Sequence, residues 1–158
     1  MKKGSRRAAK GREENSLAGK GAVVMTRQRR TWVLSPKGPI PKGVWEALAA
    51  RLLRHVGKRW RGRVRKILLR FHGAYAYVAV VEAARGEKVQ PQVCRYIEEG
   101  EVPLQLCRLG YIANIDHWMY AFFKYSDECY APSVVASGSF LATPEQAFDC
   151  AAGVYLHE

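Results

Sequence analysis

Residues 55–66 read HVGKRWRGRVRK, six cations in twelve positions with one tryptophan and no acid among them. Cations at that density suit the neutralisation of phosphates along a nucleic-acid backbone. Arg51 and Arg54 precede the run, and Arg70, Tyr75 and Tyr77 follow it. Aromatic rings beside cations stack unpaired bases, each stack contributing roughly 1–3 kcal/mol. The residues predicted to bind are Arg51, Arg54, Lys58, Arg59, Trp60, Arg61, Arg63, Arg65, Lys66, Arg70, Tyr75 and Tyr77. No helix-turn-helix, RRM, KH or zinc-finger signature accompanies them, so the reading rests on composition and placement. The competing reading is that these cations solubilise a sheet edge and counter Glu98, Glu99 and Glu101.

Two other chemistries are weaker. His72, His117, Tyr75 and Arg70 are residue types of a metal-independent ribonuclease, in which His or Tyr moves protons and Arg steadies the phosphorane. Asp116 adjoins His117 as a potential orienting partner. The chain has no P-loop, no G-x-S-x-G and no nuclease spacing of acids with lysine, so no catalytic residue is assigned. Cys94, Cys107, Cys129 and Cys150 are dispersed, as are His55, His72, His117 and His157, without the close ligand pair of a zinc site. The cysteines read as reduced, buried small hydrophobes. No metal, cofactor or small-molecule ligand is predicted.

Charge is distributed unevenly. The 158 residues carry a net +12, but residues 1–72 carry +18 and residues 73–158 carry −6. Such asymmetry points to an anionic partner for the first half, or to partial neutralisation of one half by the other. No apolar run approaches the roughly 18 residues of a membrane span, and no apolar segment of a secretory signal follows the basic start. The expected location is cytoplasmic, with no membrane contact.

These residues need elements to position them. Residues 1–30 lack the apolar content to order and are expected to be a basic disordered tail. Residues 31–42, with the prolines and glycines of SPKGPIPKG, read as a linker, and 43–158 as one α+β domain. Val44, Trp45, Leu48, Ala49, Leu52, Leu53 and Val56 recur at spacings of three and four, predicting an amphipathic helix over 43–57. KILLRFHGAYAYVAVVE (66–82) predicts a hairpin around Gly73-Ala74, pairing His72 with Tyr75 and Arg70 with Tyr77. Its core face would hold Ile67, Leu69, Phe71, Ala76, Val78 and Val80. Arg61, Arg63 and Arg65 share the parity of that core face, so 58–65 is expected to be a loop or bulged extension. It would display Trp60 as its only ring, beside the Arg/Tyr sheet face.

Residues 84–103 are acidic and turn-rich and read as a mobile excursion. LQLCRLGYI (104–112), HWMYAFFKYS (117–126) and CYAPSVV (129–135) bring the total to about five mostly antiparallel strands. Thr143, Pro144, Glu145 and Gln146 form a helix-start signature before an apolar face of Ala147, Phe148, Ala151, Ala152 and Tyr155. This C-terminal helix is expected to pack on the sheet. Trp118, Tyr120 and Phe122 share one strand face; Met119, Ala121, Phe123 and Tyr125 share the other. A face left uncovered would be an interface for a protein partner, including a second copy in a homodimer.

HGAYAYV (72–78) and residues 106–156 resemble a bacterial family of small conserved proteins of unknown function. The resemblance is carried by Leu106, Cys107, Arg108, Leu109, Tyr111, Asp116, Trp118, Ala121, Tyr125, Ser126, Tyr130, Gly138, Phe140 and the Thr143–Phe148 run. Phe123 stands where a tyrosine is expected and Leu141 where a glycine is. The resemblance implies a domain boundary and no mechanism. The reading ranked first is non-catalytic nucleic-acid binding, then a protein-interaction module, then a small ribonuclease.

Lys20-Gly21-Ala22 can be encoded as AAA-GGA-GCN, a purine-rich ribosome-binding sequence upstream of Met25. Translation is therefore expected to start at Met25, removing seven Lys/Arg and two Glu and leaving +7. Intact mass of the protein from its native host checks this; a mass that includes residues 1–24 would refute it.

Overall fold

The structure, a computed structural model, describes residues 35–156. The predicted tail, the Met25 start and residues 31–34 of the predicted linker lie outside the described residues. In chain order the elements are α1 (Lys42–Arg59), β1 (Val64–His72), β2 (Tyr75–Glu82), β3 (Gln92–Cys94), β4 (Leu104–Tyr111), β5 (Trp118–Lys124), β6 (Cys129–Pro132), β7 (Leu141–Ala142) and α2 (Pro144–Tyr155). The sheet order is β3-β1-β2-β4-β5-β6, with β7 also on β5. Every neighbour is antiparallel except β3, which runs parallel to β1. The α+β architecture is the one the sequence predicts.

The β1–β2 hairpin has the predicted register: His72 faces Tyr75, Phe71 faces Ala76 and Arg70 faces Tyr77. Its core face is Ile67, Leu69, Ala76, Val78 and Val80, all buried, with Phe71 partly so. Both helices lie on this face. Leu48, Leu52 and Val56 of α1 and Ala147, Phe148, Ala151 and Ala152 of α2 pack into one core with Leu109, Trp118 and Tyr120 of the sheet. The opposite face carries no helix among the described residues.

Local chemistry explains the helix ends. Thr143 caps α2 as predicted: its Oγ1 accepts from the Gln146 N–H at 3.1 Å, and Gln146 Oε1 accepts from the Thr143 N–H at 3.0 Å. Arg51 then ties the helices together. Its guanidinium grips Glu145 with two hydrogen bonds of 3.0 and 2.8 Å and also reaches Asp116 and the Ile115 carbonyl. Burial is the largest single effect on Glu145 and opposes its ionisation, but the Arg51 hydrogen bond, a backbone hydrogen bond and the Arg51 charge together hold the carboxyl below its ordinary range.

Four sequence expectations need correction. The segment read as a linker is part of the domain from Pro36 onward, because Lys37 donates to the Tyr111 carbonyl and Ile40 is buried in the core. Pro36 approaches Gly110 so closely that a Cβ there would stand 2.7 Å from its ring. The sheet has seven strands rather than about five, since β3 and β7 span three and two residues. Residues 84–103 contain β3 and are pinned to the sheet by ion pairs rather than forming a free excursion. The cysteines are free thiols, but only Cys107 is buried; Cys129 opens the edge strand β6 and is exposed.

Phe148 is wholly buried against Trp60, so Phe148→Ala should cost about 3–5 kcal/mol, whereas Thr143→Ala should cost about 1 kcal/mol. Urea unfolding midpoints at unchanged slope check both; equal losses for the two variants would contradict the packing described.

Candidate nucleic-acid interface

The basic run divides when it folds. Lys58 and Arg59 complete α1, residues 60–63 turn, and β1 begins at Val64 with a register shift between Val64 and Lys66. The parity break expected in the sequence is thus a bulge at Arg65. Trp60, however, is not an exposed ring. It is only 7% exposed, meets Phe148 edge-on, and donates from Nε1 to Asp149 Oδ1 at 2.7 Å. Asp149 Oδ1 also lies 2.7 Å from His55 Nε2. The physical reason is spacing: Leu48, Leu52, Val56 and Trp60 follow one another at intervals of four, so Trp60 extends the buried stripe of α1.

Arg65 and Lys66 are engaged by carboxylates of the acidic segment. Lys66 is 8% exposed and donates to Glu101 at 2.9 Å and Glu98 at 3.2 Å; Arg65 pairs with Glu87 at 2.9 Å. The two turns that carry these acids repeat one design. In each, a glutamate N–H bonds the carbonyl three residues back, and its carboxylate accepts the N–H of that same residue, Ala84 or Glu98. The third residue is Gly86 at φ 80° or Gly100 at φ 89°, backbone angles that exclude most side chains. These backbone N–H bonds, then the cations, hold the Glu87 and Glu101 carboxyls below their ordinary range. The hydrogen bond to Glu101 in turn raises the Lys66 ammonium. For Arg65 and Lys66, the reading in which basic residues counter the acidic segment is the correct one. Arg51 is likewise committed to Glu145 and Asp116.

The remaining cations form two groups. Arg54, Lys58, Arg59, Arg61 and Arg63 surround the end of α1 with no carboxylate partner among the described residues, Arg59 and Arg63 lying 5.4 and 5.5 Å from the Trp60 ring centre. The second group is on the helix-free face. Arg70 lies 4.2 Å from the Tyr77 ring centre, and Arg108 lies 4.3 Å from Tyr75 and 5.4 Å from Tyr130. Tyr77 meets Tyr130 edge-on at 5.3 Å, and Phe123 continues the row at 5.0 Å. Neither arginine has a carboxylate partner among the described residues. Burial pushes the Tyr130 phenol up to about 12 despite Arg70 nearby, so the ring stays uncharged and keeps its O–H on Gln105.

The two groups do not adjoin, contrary to expectation. Six residues of β1, about 20 Å, separate Val64 from Arg70, and the α1 end lies on the helix-bearing side of the sheet. Arg108 was missed because the β2–β4 register shifts at Leu106, which breaks the simple alternation of LQLCRLGY. His72 and His117 are both exposed, and Asp116 serves Arg51 rather than His117. No cluster of three or more potential metal ligands occurs among the described residues.

Glu87 and Glu101 bind fewer protons folded than unfolded. The stability they contribute is therefore complete above the unfolded glutamate value of about 4.3 and is lost as pH falls through their lower folded values. Melting temperature should drop across that acid window, and Glu101→Gln should lower it at neutral pH while flattening the drop. Parallel curves for the two proteins would contradict the network. No family model, curated protein or solved structure matches this chain.

Proposed function

We propose that this domain binds single-stranded nucleic acid without catalysis, using the helix-free face as its platform. One observation carries the reading: among the described residues, Arg70 and Arg108 lie over Tyr77, Tyr75 and Tyr130 on a face that carries no helix, and neither has a carboxylate partner. Half-buried rings on a sheet can stack unpaired bases, while guanidinium groups beside them meet phosphates. Arg54, Lys58, Arg59, Arg61 and Arg63 add long-range attraction that is independent of sequence. Arg51, Trp60, Arg65 and Lys66 have structural partners and no part in this role.

The homodimer alternative is less well supported on this face. Apposing two copies would bring Arg70 and Arg108, neither paired with a carboxylate among the described residues, against like charges. We further propose a cytoplasmic setting, and kinship with the small bacterial family that the sequence resembles. Two residues that carry the resemblance, Arg108 and Tyr130, sit on this face.

Anisotropy titrations of single-stranded and duplex oligonucleotides across a salt series test the reading. Arg70→Glu with Arg108→Glu should weaken single-strand binding at least about tenfold and lower the salt slope by about 0.7 for each phosphate no longer neutralised. Lys66→Met, read at a pH and temperature where it stays folded, should leave the slope unchanged. Weak binding equal in wild type and the double variant would remove the reading. RNA cleavage abolished by His72→Ala would replace it with an enzyme.

A further inference from the structure

The sheet has an unfinished edge. β3 pairs with β1 only at Lys66, Ile67 and Leu68, yet β1 runs on to His72 with no strand on that side among the described residues. Because His72 and Tyr75 flank a two-residue turn, the backbone of His72 and Arg70 points toward β2 and that of Phe71 points away. Past the end of β3, the Phe71 N–H and C=O therefore have no backbone partner among the described residues.

A groove lies along this edge. One cleft of about 250 Å³ is lined by Lys42, Trp45, Phe71 and Arg95, among others. An adjoining cleft of about 270 Å³ shares Trp45, Phe71 and Arg95 and extends to Arg70 and the exposed Tyr96. Trp45 stacks flat on Phe71, ring centres 4.7 Å apart at 9°, and Arg95 lies 5.7 Å from the Trp45 ring centre. The Trp45 indole N–H is buried and has no hydrogen-bond partner among the described residues. Among the described lining residues, Glu46 is the one acid against Lys42, Arg70 and Arg95. The groove thus offers donors and positive charge, an apolar floor, and one open backbone pair.

We propose that this notch is a docking site for an extended acidic peptide from a partner protein, which adds a strand beside β1 beyond the end of β3. Side chains of an added strand alternate between sheet faces. Apolar residues at every second position would meet Trp45 and Phe71, and acids between them would meet Arg70 and Arg95. The Phe71 N–H and C=O supply the ladder hydrogen bonds, and the excess of donors selects an acceptor-rich occupant. Arg70 is common to this site and to the proposed nucleic-acid face, but a nucleic-acid strand has no backbone spacing to match the Phe71 pair, so the Phe71 amide distinguishes the two occupants.

The test titrates ¹⁵N-labelled protein with a blocked hexapeptide alternating valine and glutamate, and separately with its valine–lysine counterpart. The Trp45 indole and Phe71 amide signals should shift with the glutamate peptide alone, and the Phe71 amide should become protected from exchange. Arg95→Glu, a change at an exposed side chain, should weaken binding at least about tenfold, a loss readily resolved by titration. The proposal is overturned if both signals stay still at about 1 mM peptide. It is equally overturned if the lysine peptide binds as well, if Arg95→Glu binds unchanged, or if the same signals move only with protein concentration or with an oligonucleotide.

Discussion

Lys66 cannot lie against the sheet as an isolated charge, and much of the molecule follows from how it is paired. Withdrawing an ammonium from water is unfavourable unless carboxylates meet it with good geometry. Glu98 and Glu101 do so at 3.2 and 2.9 Å, and they sit on a segment that is otherwise polar and turn-rich. Gly100 lets the Glu101 carboxylate curl back onto its own turn, so one side chain serves both the backbone and the cation. The Gly86–Glu87 turn does the same for Arg65. Two local turns thereby become long-range ties that fix residues 84–103 against β1.

That pairing sorts the basic half of the chain. Part of its charge meets the acidic half within the fold, through Arg51, Arg65 and Lys66. What remains is divided between the end of α1 and the helix-free face, two sites that a linear reading of HVGKRWRGRVRK merges into one. Net charge counts the same total in both cases; only the ion-pair geometry shows which cations can still meet an anion. The face with the fewer cations is the one that also presents rings.

Much was legible because it depends on neighbours in sequence. The hairpin register follows from a two-residue turn and period-two burial, and the α2 cap from Thr143 and Gln146 three residues apart. Trp60 was also readable in principle, since its four-residue interval from Val56 continues the stripe of α1, but the charge around it hid the pattern. The rest depends on distant partners. β3 and β7 are too short to carry a period, and β3 exists through a parallel pairing with β1. Arg108 reaches the tyrosine row through its register opposite Tyr77 on a strand 31 residues away, which no local period shows. The glutamates that occupy Lys66 lie 32 and 35 residues away from it.

Photocrosslinking tests the central assignment most directly. A single-stranded oligonucleotide substituted with bromodeoxyuridine would be irradiated with the protein, and the attached residues found by mass spectrometry. Crosslinks should fall on Tyr75, Tyr77 or Tyr130. Attachment confined to residues 54–63 would contradict the assignment and move the binding site to the end of α1.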